Sequence, residues 1–114
     1  MSRMEKVNEQ IKRVISLIIQ EDLSDPRLQF VSITRVDVGK DLRNATVYFS
    51  ALGDQKQAGT AEQSLNKAKH IIRRELGSKI KMRFTPQLSF KYDQSIRFGM
   101  DLEETIKEIH DEHS

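Results

Sequence analysis

The sequence predicts an α+β domain, with helices packed on one face of a three-stranded sheet. Three observations predict it. An apolar stripe at helical spacing opens the chain, from Met4 through Val7, Ile11, Val14 and Ile18. Two stretches rich in strand-forming residues then flank Gly39-Lys40-Asp41. A second helical stripe, Leu65, Ala68, Ile72, Leu76 and Ile80, precedes a short alternating run that ends at Tyr92. The resulting order is helix, strand, strand, helix, helix, strand. At 114 residues the chain has room for one such domain.

Ile15, Leu17 and Ile19 widen the first stripe, and Arg3, Lys6, Lys12 and Arg13 lie mostly off it. An amphipathic helix is therefore expected from about Ser2 to Asp22. It stops before Ser24-Asp25-Pro26, because proline disfavours helical geometry in the residue before it and has no amide hydrogen to donate. Phe30 to Val38 reads as a strand. Val31 and Ile33 share one parity and Val36 and Val38 the other, and a bulge near Thr34-Arg35 reconciles them. Gly39-Lys40-Asp41 supplies the hairpin turn. In the second strand Ala45, Val47, Phe49 and Ala51 alternate with Thr46, Tyr48 and Ser50.

Gly53-Asp54 ends that strand, and helical character returns from about Gln55 or Thr60. Thr60 and Gln63 match a capping box. The apolar spacing then runs through Gly77, giving a helical region from about Ala61 to Met82, read as two helices meeting near Ala68. Pro86 closes it. Leu88, Phe90 and Tyr92 alternate with Gln87, Ser89 and Lys91 as a third strand. Residues 1–99 are expected to form the domain, and residues 100–114 an acidic C-terminal tail. Asp101, Glu103, Glu104, Glu108, Asp111 and Glu112 face only Lys107 there.

Composition narrows the function. There is no Cys, which removes disulfides, thiolate metal sites and Cys nucleophiles, and suits a reducing cytoplasm. No signal peptide is expected, because Met1 to Lys6 is charged and no uninterrupted apolar stretch follows it, and no apolar run approaches the ~20 residues that cross a bilayer. The five glycines are scattered, so neither a dinucleotide fingerprint nor a phosphate-binding loop can be built. His110 and His113 flank two carboxylates, but their spacing matches no zinc motif. No metal, cofactor, small-molecule substrate or catalytic residue is expected.

Charge is more informative in its distribution than in its total. The whole chain carries a formal +2, yet between Asn66 and Lys91 eight basic residues face one acid, a local +7. They are Lys67, Lys69, Arg73, Arg74, Lys79, Lys81, Arg83 and Lys91, opposed by Glu75. Lys69 and Arg73 stand four apart and are expected to share an exposed face with Arg74 nearby. A basic run is often just a solvated helix face. A helix that is merely solvated, however, usually mixes signs to gain i,i+4 pairs, and this one does not. The density fits a polyphosphate backbone. Lys67, Lys69, His70, Arg73, Arg74, Lys79, Lys81 and Arg83 are the candidate RNA-binding residues. Lys40 and Arg43 on the hairpin turn are a weaker extension.

The element order resembles a type II KH domain, and five segments in order resemble ribosome-binding factor A. These are Asp25-Pro26-Arg27-Leu28; Val31 to Val36 followed by Asp41 to Ser50; Ile71 to Gly77; Pro86 to Phe90; and Tyr92 to Ser95. The resemblance covers the chain to about Gly99. It implies a helix-kink-helix with Ala-x-Gly at the bend in place of the GxxG loop of ordinary KH domains. The matching positions are Ala68-Lys69-His70, so Ala68 marks the interhelical kink and His70 stands where Gly is usual. The resemblance further implies a protein without chemistry of its own, and a cytoplasmic monomer is expected. It would bind the immature small ribosomal subunit, contact 16S ribosomal RNA near its 3′ end and neck, and leave when maturation finishes. Family members are linked to growth in the cold. The alternative is a protein-interaction or dimerisation module that pairs through Val7, Ile11, Val14 and Ile18 of the first helix.

Overall fold

A computed structural model describes residues 2–93. The expected domain boundary at residue 99, the acidic tail and its two histidines lie outside the described residues. Helix α1 spans Arg3–Leu17 and starts where Ser2 Oγ accepts the Glu5 amide at 3.1 Å. It passes into a π-helical turn, Ile18–Asp22, which widens the coil. Ile18 and Ile19 are both buried there. Leu17, expected in the apolar stripe, instead points outward.

A short 3₁₀ turn, Pro26–Leu28, follows and drives Leu28 into the core. Asp25 caps it: Oδ1 accepts the Arg27 amide at 2.9 Å, and the Arg27 guanidinium grips both carboxylate oxygens. The Arg27 side-chain hydrogen bond, helped by the amide, holds the Asp25 carboxyl below its usual pKa.

Strands β1 (Val31–Val38) and β2 (Asn44–Ala51) pair antiparallel, and the register slips between Ile33 and Arg35. Thr34 is the extra residue, so Val31 and Val36 face the same core despite opposite parity. The connecting loop is tight. Gly39 donates to the Asn44 carbonyl at 2.8 Å, and Leu42 takes a positive φ of 62°. Strand β3 (Gln87–Tyr92) joins β2 in parallel, giving the order β1-β2-β3. A parallel partner needs a long crossover, and α2 (Gln55–Lys79) supplies it.

Helix α2 corrects two expectations. Its capping box is Asp54 with Gln57, whose reciprocal bonds are both 3.0 Å. Thr60, the residue expected to cap, donates within the helix to the Lys56 carbonyl. The expected junction of two helices near Ala68 is absent: α2 runs 25 residues unbroken. Nothing between Gly59 and Gly77 is Gly or Pro, and Ala68-Lys69-His70 adopt helical dihedrals at little cost. Ala68 packs against the core.

Both helices cover one face of the sheet. Ile11, Ile15 and Ile18 of the N-terminal helix meet Val47, Phe49 and Phe90 of the sheet and Leu65, Ile72 and Leu76 of α2 in one cluster. The dimerisation alternative loses its surface here, since Ile11 and Ile18 are 1% and 0% exposed within a single chain.

Candidate nucleic-acid interface

Helix α2 sorts its basic residues by the direction each row faces. Ala61, Leu65, Ile72 and Leu76 fix the inward side. Lys67, His70 and Arg74, three and four apart, therefore form one exposed stripe on the outer side. Among the described residues, Lys67, Lys69, Arg74, Lys81 and Arg83 make no ion pair. Their charge is free for a ligand.

The adjacent row, Asn66, Lys69 and Arg73, faces β3 and is half-buried. Asn66 acts as a substitute strand: its amide oxygen accepts from Phe90 N at 3.3 Å, and its Nδ2 donates to Phe90 O at 3.2 Å. That satisfies a free sheet edge. Arg73, expected on an exposed face with Lys69, is instead turned inward. Its Nε donates to the Thr85 and Pro86 carbonyls at 3.3 and 3.2 Å, and Nη2 reaches Thr85 O at 2.9 Å. The guanidinium is thus a clamp on the segment entering β3. Gly77 serves the same junction, because a Cβ there would lie 2.8 Å from Thr85 Oγ1.

Arg73→Ala is expected to cost about 2 kcal/mol of stability, the order for hydrogen bonds from a charged donor. Arg73→Lys keeps the charge but not the fork and should recover only part of it. Urea denaturation measures both. An unchanged midpoint in Arg73→Ala would return Arg73 to the free basic surface.

The remaining basic residues sit at the end of α2 and beyond. Lys79 lies 3.7 Å from Asp22 of the π-helical turn, an exposed pair. Lys81 and Arg83 are exposed on the loop before β3. Lys91 belongs to the same sequence run, but strand alternation puts it on the outer face of the sheet, opposite Leu88 and Phe90. At the other end of the stripe, a groove lined by Gly59, Glu62, Gln63, Asn66 and Lys67 includes an acid. The basic surface thus begins at Lys67 and runs toward the C-terminal end of the helix.

The profile of the ribosome-binding factor A family matches residues 3–106. The chain belongs to the ribosome-binding factor A family. It is 46% identical over 107 residues to ribosome-binding factor A of Citrifermentans bemidjiense, covering 94% of this chain and 90% of that one. The crystal structure of ribosome-binding factor A from Thermus thermophilus superposes with a TM-score of 0.72 at 27% identity, covering 80% of this chain and 97% of that one. A homology model of the Thermus thermophilus factor, fitted into a cryo-EM map of a 30S complex, matches with a TM-score of 0.63 at 29% identity. That match covers 76% of this chain and 91% of the other.

One exposed aromatic residue escaped the sequence reading. Phe84 is 61% exposed, with the Arg83 guanidinium 5.6 Å from its ring centroid. It lies in an aperiodic loop, where neither a helical nor a strand repeat flags a residue. Among the described residues no group of His, Asp or Glu could hold a metal ion, and no helix is long and apolar enough to cross a membrane.

Proposed function

We propose that this chain binds the free or immature small ribosomal subunit and assists maturation of 16S ribosomal RNA by binding alone, with no chemistry of its own. The observation that carries this reading is the exposed stripe Lys67, His70 and Arg74, which no carboxylate neutralises among the described residues. Lys69, Lys79, Lys81 and Arg83 border it, and Arg73 positions the loop that holds Arg83. Such a surface carries the sign that RNA phosphates attract and asks little of base identity. The Thermus thermophilus relative fitted into a 30S complex supports the choice of partner. The helix-covered sheet supports a KH-like use of the helical face. The protein acts as a cytoplasmic monomer, and its contribution is greatest in the cold, where misfolded RNA helices rearrange slowly.

The test is sedimentation with purified subunits in low salt. The protein is expected to travel with small subunits and to stay at the top of the gradient with large ones. A protein that ignores both, or binds both equally, would remove this reading.

A further inference from the structure

The two loops at one end of the sheet are joined to each other. Gln87 N donates to the Arg43 carbonyl at 2.8 Å, tying the first residue of β3, where the loop carrying Phe84 ends, to the β1–β2 hairpin loop. Phe84 stands three residues before Gln87, within about 10 Å of that bond by chain reach. The segment is fastened from behind as well, by Arg73 on the Thr85 and Pro86 carbonyls and by the close approach of Thr85 to Gly77. The hairpin loop is equally constrained, with Leu42 N on Gly39 O at 2.9 Å and Arg43 N on Asp41 Oδ1 at 3.0 Å.

Phe84 is therefore an aromatic ring held out in water by a segment pinned on two sides. A single exposed apolar residue is ordinary. This one has a cation on its ring and others on its own segment and on the loop joined to it. Arg83 lies over its ring, Lys81 precedes it, and Lys40 and Arg43 are exposed on the neighbouring loop, with Asp41 the acid among them. An exposed ring amid unpaired cations suits a ligand that offers both a flat π-face and phosphates.

We propose that Phe84 is a stacking platform for one unpaired nucleobase, with Arg43, Lys40 and Arg83 holding the phosphates on either side. This rests on the RNA-binding reading above and adds to it. The helix stripe engages backbone irrespective of strandedness, whereas the Phe84 end selects a single-stranded or bulged nucleotide. A base inside a duplex presents no free face to the ring.

The chain contains no Trp, so Phe84→Trp installs a sole tryptophan reporter at the site. The full-length variant is titrated with a uniform single-stranded RNA oligonucleotide and, separately, with a duplex of equal charge. Stacking quenches indole emission, so strong quenching is expected with the single strand and little with the duplex. Phe84→Ala should weaken single-strand binding about tenfold with an unchanged salt slope, since stacking one base is worth that order and involves no counterion. Duplex binding should not move. Indole emission that stays bright in the Phe84→Trp variant while the oligonucleotide binds, together with an unaffected Phe84→Ala, overturns the stacking proposal and leaves the basic-stripe reading intact. A parent that binds neither RNA nor small subunits overturns both.

Discussion

Replacing Lys67 and Arg74 together with Glu is expected to detach the protein from the small subunit at physiological salt while leaving the fold unchanged. Both side chains are exposed and make no hydrogen bond or ion pair among the described residues, so nothing in the core depends on them. Their loss acts on phosphate contacts alone. If the parent neutralises about four phosphates, a slope of ~0.7 per contact gives roughly 50-fold weaker binding between 50 and 200 mM salt. With two contacts gone, the same interval should weaken binding only about sevenfold, from a much lower starting affinity. The two introduced carboxylates lower it further by repulsion. Affinity measured against salt for parent and variant, with circular dichroism as the folding control, reads both quantities. Equal slopes would move the interface off this helix face. Arg73 is unsuited to such a test, because its reversal breaks the clamp on Thr85 and Pro86 as well as removing a charge.

Phe49→Ala is expected to give the largest stability loss, about 3–5 kcal/mol for emptying a fully buried aromatic site. That is a large share of the roughly 5–15 kcal/mol available to a domain. Phe49 is 0% exposed on the central strand, between β1 and β3, and its ring makes a T-shaped contact with Tyr92 at a centroid distance of 5.7 Å. The backbone also converges there, since Asp93 N donates to the Phe49 carbonyl at 2.8 Å. A cavity at this point is bordered by both neighbouring strands and is poorly placed to collapse. Phe49→Leu fills most of it and should lose much less. Thermal and urea midpoints compare the two. A loss below about 1 kcal/mol in the alanine variant would mean that the core closes over the gap.

Much of this molecule is written in short-range periodicity. The parity switch between Ile33 and Val36 placed a bulge near Thr34-Arg35, and the register slips there, because side chains alternate with period two and one added residue restores the face. The alternation of Ala45, Val47 and Phe49 named the buried side of β2, and Ile11, Ile15 and Ile18 that of the first helix. The density of Lys and Arg after Asn66 pointed to an anionic partner without any coordinates, because opposing acids are scarce there.

Other features depend on residues far apart in the chain, and no local pattern contains them. The parallel seating of β3 beside β2 follows from where α2 returns the chain. The role of each basic side chain was likewise undecided by sequence. Lys67 and Arg73 are both long cations on one helix, and helical spacing says only that they face different directions. It is the Thr85 and Pro86 carbonyls, brought within 3.3 Å by the fold, that turn Arg73 into a structural clamp and leave Lys67 to the solvent. Phe84 is exposed for the same reason, since the segment carrying it is fixed by bonds to α2 and to the hairpin loop. The buried sides of β2 and of the first helix are local properties that sequence alone determined. The partner of a polar group is a non-local one, and only the tertiary structure decided it.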